Sequence, residues 1–269
     1  MPDTSSDTFD DSLERLRQIM RRLRDPVSGC PWDIVQSFDT IAPYTVEEAH
    51  EVADVIARKA WAELPGELGD LLLQVVFHSQ MADEAGLFTL DDVIRTISDK
   101  MLARHPHVFG SESRDKSVEQ QSVDWERLKA AERGPARVLD GVALGLPALS
   151  RAVKLQRRAA RVGFDWPSTD QVLAKMAEEM AELVEARATL TEAEVTEEFG
   201  DLLFVMANLA RHMQVDPEGA LRAANAKFTR RFQRIEDWLA EAGKTPDQSD
   251  LAEMDALWNR AKSEDKSRA

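Results

Sequence analysis

Cysteine is almost missing from this chain: Cys30 is the single one in 269 residues. An intramolecular disulfide is therefore excluded, and the composition fits a reducing compartment, so a cytoplasmic location is expected. Positive charge is also short, with 34 Lys and Arg against 49 Asp and Glu, a net charge of −15. That balance argues against a nucleic-acid backbone as partner. An anionic ligand would have to arrive with a metal or meet a local basic cluster. Long apolar runs are missing too. The longest, Leu71 to Phe77 and Leu202 to Ala207, fall far below the roughly 20 residues that span a bilayer. No basic-then-apolar leader opens the sequence, so neither membrane nor export is expected. Glycine and proline are few, at 12 and 11. Ala, Leu, Glu and Arg dominate, which favours helix by propensity. No phosphate-cradling Gly-rich loop ending in Lys-Ser or Lys-Thr occurs, and no serine elbow. Cys30 lies between Gly29 and Pro31 and reads as structural rather than nucleophilic.

Against these absences stands an excess of carboxylates in a repeated pattern. Glu178, Glu179 and Glu182 fall within one narrow arc at roughly 100° per residue. Glu198 and Asp201 are three apart and share a face of the next helix. Glu47, Glu48, Glu51, Glu67 and Asp70 repeat the spacing 131 residues earlier. A solvated acidic face explains either copy alone. Five acids at identical spacing, twice, are hard to obtain by chance. Facing one another across a helical hairpin, such carboxylates repel, and burial raises their pKa values. A hard divalent cation with oxygen ligands removes the conflict, so Mg²⁺, or Mn²⁺, is the expected cofactor.

The remaining punctuation predicts an all-α protein of two tandem units. Residues 1–11 are acidic and rich in Ser and Thr, a frayed tail. The first helical unit is expected over 12–110. Its first helix carries Leu13, Leu16, Met20 and Leu23 as a core-facing stripe. Its acidic helix is expected from about Val46 to Lys59, with Thr45 and Glu48 as a capping box. Pro65 suits the first turn of the next helix, where Leu68, Leu71, Leu72, Val75 and Val76 are expected in the core. Thr89 can cap a fourth helix that Pro106 ends. Residues 111–147 read as a linker with a short helix around Trp125. The second unit, 148–264, repeats the first: Gly163 and Trp166 echo Gly29 and Trp32 at a distance of 134. Asp216-Pro217 opens a long helix carrying Phe228, Phe232, Ile235 and Leu239.

Basic residues follow each acidic hairpin. Lys227 and Arg231 are four apart on the long helix of the second unit, and Lys100 and Arg104 hold the matching place in the first. Carboxylates, Mg²⁺ and Lys/Arg together suit phosphate-ester chemistry: the ion neutralises phosphate charge, a carboxylate positions a water, and the cations hold the departing group. The competing metal reading is a di-iron bundle, because Glu47 and His50 form a Glu-x-x-His pair. Its counterpart 131 residues on is Ala181, so the histidine does not repeat, and oxygen-only Mg²⁺ or Mn²⁺ ranks above iron. His78, His105, His107 and His212 read as surface or packing residues.

Glu-Glu-x-x-Glu followed by Glu-x-x-Asp in a helical hairpin resembles the MazG family of nucleoside triphosphate pyrophosphohydrolases. Further segments are similar to that family: Gly29-Cys30-Pro31-Trp32-Asp33, Pro43-Tyr44-Thr45, Gly66 to Leu72, Arg104 to Phe109, Gly163-Phe164-Asp165-Trp166, Asn225-x-Lys227-Phe228 and Arg230-Arg231-Phe232. The likeness covers about residues 12–262, including the two-copy layout. It implies hydrolysis of nucleoside triphosphates to monophosphate and pyrophosphate, with Mg²⁺, in a homodimer. It carries metal binding and catalysis onto Glu178, Glu179, Glu182, Glu198 and Asp201. It carries phosphate binding onto Lys175, Lys227 and Arg231, with Arg230 beside them. Trp258 is a candidate to stack on the base, with a core aromatic as the competing reading. The second unit resembles the working one. The first keeps all its acids and could bind nucleotide, act slowly or pack in the dimer. Two other functions stay open: hydrolysis of one special nucleotide, such as dUTP, a damaged triphosphate or phosphoribosyl-ATP, and a non-catalytic nucleotide-binding bundle.

Overall fold

The computed structural model describes residues 12–111, 137–189 and 191–268, with single positions between 112 and 136. The expected tail at 1–11 and most of the expected linker lie outside the described residues. Among the described residues the only regular structure is helical, and the chain divides into two compact units, Met1–Glu132 and Arg133–Ala269. Trp125 lies in helical backbone, with its ring 5.5 Å from that of His105.

The first unit runs α1 (Ser12–Leu23), α2 (Pro31–Ile34), α3 (Phe38–Arg58), α4 (Leu64–Glu84), α5 (Leu90–Arg104) and α6 (Pro106–Phe109). α3 begins well before Val46. Ser37 is its N-cap: the Thr40 N–H donates to Ser37 Oγ at 3.3 Å, and the Ser37 N–H donates to Thr40 Oγ1 at 2.8 Å. The expected cap at Thr45 is therefore corrected. Thr45 sits inside the helix, its hydroxyl 3.0 Å from Nε2 of His78, and Glu48 is released from capping. Pro43 is accommodated inside the second turn of α3. Lys59 closes the helix in the left-handed region, at φ 57°. Thr89 caps α5 as expected, reciprocally with Asp92.

α3 and α4 pair as an antiparallel hairpin, and α1 and α5 pack on α4. Their shared core is Met20, Ile41, Val76, Phe77, Met81 and Leu90, with Leu16 and Leu73 against it. The sequence expectation placed too much of α4 inside. Leu68 is 48% exposed, and Leu72 and Val75 are also exposed, as is Leu13 on α1. α4 is apolar on more than one side, and its partners in this unit cover only part of it.

The second unit runs α7 (Ala148–Ala160), α8 (Thr169–Thr189), α9 (Glu192–His212), α10 (Pro217–Glu241) and α11 (Leu251–Arg268). α8 and α9 form the second acidic hairpin, α7 packs on α9, and α10 packs chiefly on α11. Thr191 and Glu194 make a capping box at the start of α9, and Asp216 caps α10. Val172, Ala186, Leu202, Val205, Ala207, Ile235 and Leu239 are buried. Asp165, in the loop that echoes the one around Gly29, is bound by Arg211 and His212. None of the described helices is long and apolar enough to cross a membrane.

Candidate functional site

Each hairpin gathers its acids because helical periodicity stacks Glu179 over Glu182 and aims both at the partner helix. In the second unit Glu179, Glu182 and Glu198 each offer an oxygen within 4.8 Å of the others. Glu179 is only 5% exposed. Glu198 is held above the usual carboxylate range, first by burial and then by Glu182, Glu179, Asp201 and Glu197. Asp201 thus presses on the cluster without joining its closest trio. Glu178 is outside the trio, and Lys175 Nζ donates to its Oε1 at 2.8 Å and lies 2.8 Å from Glu179 Oε1. Those two hydrogen bonds, to Glu178 and then Glu179, push the Lys175 ammonium upward in pKa.

The first unit draws its trio differently, from Glu48, Glu67 and Asp70. Glu48 is raised by burial, then by Asp70, Glu51 and Glu47. Glu67 is raised by burial, then by Glu51 and Asp70. In the first unit all five acids therefore belong to one patch; in the second, Glu179, Glu182, Glu198 and Asp201 do, with Glu197 beside them. Three carboxylate oxygens this close would offer a divalent cation an all-oxygen donor set. The donors are all oxygen, and His50 is absent from the trio. This favours a hard cation over iron.

The structure does not bring the other predicted cations to these acids. Arg231 Nε donates to Asp265 at 2.7 Å, and Arg230 Nη2 reaches the same carboxylate at 3.1 Å. The Arg231 guanidinium also lies 5.5 Å from the ring centre of Trp258, which packs on Phe228 at 5.3 Å. Lys227 is exposed on the same helix. α10 and α11 thus form a basic and aromatic face of their own. Asp265, 34 residues from Arg231, had no local signal in the sequence. Glu197, which adds negative charge beside Glu198, was legible only as one more acid in a run. Of the histidines read as surface or packing residues, His78 stacks on Phe38 at 5.8 Å, and His212 makes a polar contact with Asp165.

Comparison with known proteins now bears on this geometry. The MazG nucleotide pyrophosphohydrolase domain matches residues 36–109, and the phosphoribosyl-ATP pyrophosphohydrolase family matches residues 146–228. A nucleoside triphosphate pyrophosphohydrolase of Escherichia coli K12 is 49% identical over 255 residues, 93% of this chain and 97% of that protein. A Thermotoga maritima protein, nucleoside triphosphate pyrophosphohydrolase/pyrophosphatase MazG, is 43% identical over 94% of this chain and 96% of its own length. An uncharacterized Bacillus subtilis protein, YabN, is 42% identical over 91% of this chain and 50% of its own length. Two tandem helical units, each with the acidic hairpin, and near full-length likeness at this identity show that the chain belongs to the MazG family of nucleotide pyrophosphohydrolases.

Proposed function

We propose that this protein hydrolyses nucleoside triphosphates, broadly across bases and sugars, to nucleoside monophosphate and pyrophosphate. The observation that carries the reading is the convergence of Glu179, Glu182 and Glu198 oxygens within 4.8 Å around a carboxylate almost closed to water. A Mg²⁺ or Mn²⁺ ion held by these residues supplies charge neutralisation at the reacting phosphate. Glu179 and Glu182 fix one side of the cluster from α8, and Glu198 and Asp201 the other from α9. A carboxylate of this patch, kept ionised by the cation, orients and deprotonates the water that attacks the α-phosphate. Lys227 is exposed on α10; Arg230 and Arg231, clasped by Asp265, would have to leave that carboxylate to meet the leaving pyrophosphate. We place the activity mainly in the second unit, because there the trio has a buried member and a lysine at its edge. The reaction belongs to the cytoplasm, on the single unpaired cysteine.

A second copy of the chain completes the proposed assembly. Leu68, Leu72 and Val75 on α4, and Phe199, Leu203 and Met206 on α9, hold matching positions and are all exposed in their own units. Two such stripes support a homodimer.

The match of residues 146–228 to the phosphoribosyl-ATP pyrophosphohydrolase family favours one alternative, a single special nucleotide. Product analysis tests both readings. With ATP and Mg²⁺ the expected products are AMP and pyrophosphate, and ADP with free phosphate would refute the proposal. A panel of NTPs, dNTPs and phosphoribosyl-ATP, compared by kcat/KM, separates broad from narrow use. Binding without turnover at any divalent metal would leave the non-catalytic bundle.

A further inference from the structure

Lys175 stands one turn before the acids of α8, with its ammonium 2.8 Å from Glu178 Oε1 and 2.8 Å from Glu179 Oε1. Glu179 is the buried member of the trio. A carboxylate so far from water needs a positive partner, and Lys175 supplies one at 2.8 Å. The first unit offers an internal comparison. The position 131 residues earlier is Tyr44, whose ring meets Trp32 edge-on at 6.2 Å. Among the described residues, no Lys or Arg is ion-paired to Glu47, Glu48, Glu51, Glu67 or Asp70. The same hairpin thus forms around the same five acids without a lysine, so helix packing does not require one. What Lys175 changes is the charge that an arriving cation meets.

An ammonium and a divalent ion compete for the same Glu179 oxygen. We infer that Lys175 is a positioning residue that holds the cation's place in the second unit's acid cluster. Entry of the cation expels the ammonium from Glu179 and frees it to meet the anionic oxygens of an incoming phosphate chain. Cation and nucleotide then bind with positive coupling in the second unit, because each supplies what the other's arrival removes. The first unit takes a cation without that competition. The inference rests on the proposed reading of the trio as a metal site, and its test separates the two.

The test follows Mn²⁺ binding to the full-length protein by loss of the free-ion paramagnetic resonance signal, without and with a non-hydrolysable triphosphate analogue. Glu48→Gln and Asp70→Asn are present throughout to silence the first cluster. Adding Lys175→Met should tighten nucleotide-free Mn²⁺ binding by about two- to fivefold, the range for loss of one competing ion pair. The factor by which the analogue tightens Mn²⁺ binding should fall in the same variant. Lys175→Arg keeps the charge and should keep the weaker binding. Lys175→Tyr copies the residue that the first unit already tolerates, and it answers the same question should Lys175→Met fold poorly. A lysine that merely braced α8 would give unchanged or weaker Mn²⁺ binding when removed, and that result overturns the inference alone. No Mn²⁺ uptake by the second cluster, with or without analogue, overturns the metal reading and this inference with it.

Discussion

Glu179 combines three features in one side chain: it is buried, it belongs to the close trio, and it shares an oxygen with Lys175. Glu179→Ala should lower turnover by about 100-fold or more, on the order of 2.7 kcal/mol of transition-state stabilisation. Asp201→Ala should do the same, with the helical circular-dichroism spectrum kept in both. Glu48→Ala should cost less; if it is the lethal change while Glu179→Ala is silent, the working unit has been misassigned. The acids were legible residue by residue, because helical spacing is local. The membership of each trio was not: Glu182 joins in one unit and Asp70 in the other, although both units carry the same five acids at the same spacing. Asp265 was not legible at all. Hydrogen bonds from Arg231 and then Arg230 hold it below the carboxylate value of 3.8. A lowered carboxylate stabilises the fold above its unfolded pKa, and the effect is lost as pH falls through the lower folded value. Asp265→Asn should therefore reduce Tm at pH 6, and its difference from wild type should shrink towards zero as pH falls from about 4 towards 2.

Element boundaries show where local rules hold and where context overrides them. Thr89 and Asp216 cap the helices expected of them, because capping needs only a few neighbouring residues. α3 starts eight residues before Val46, since Ser37 and Thr40 supply a complete capping box upstream of Pro43. The two Gly-x-x-Trp loops, matched in spacing, need their glycines for different reasons. A Cβ on Gly29 would meet Leu23 O at 2.4 Å and Asp25 O at 2.5 Å. Gly163 has open space around it but adopts φ +85°. Gly29→Ala should cost about 1–3 kcal/mol by overpacking, and Gly163→Ala about 1–2 kcal/mol by backbone strain. Asparagine separates the causes: it tolerates the left-handed region, so Gly163→Asn should recover most of the urea midpoint, while Gly29→Asn should not.

At the scale of the whole molecule, the matching exposed stripes are the feature that each unit by itself leaves uncovered. Leu203→Glu with Met206→Glu should convert the protein, by light scattering, from a dimer to a single chain of 30.2 kDa. A wild type that already runs as one chain would remove the dimer from the proposal. The all-α class, the two-copy layout and the identity of the ten acids followed from sequence alone, because propensity, capping and helical periodicity act over a few residues and a repeat is visible without any fold. The Lys175 pairing, at i,i+3 and i,i+4 within α8, is local as well. Burial, trio membership and the Asp265 clasp were decided by tertiary structure. Each depends on which face a helix turns to a neighbour remote in sequence, and helical spacing defines the faces of a helix without saying which one a partner will cover.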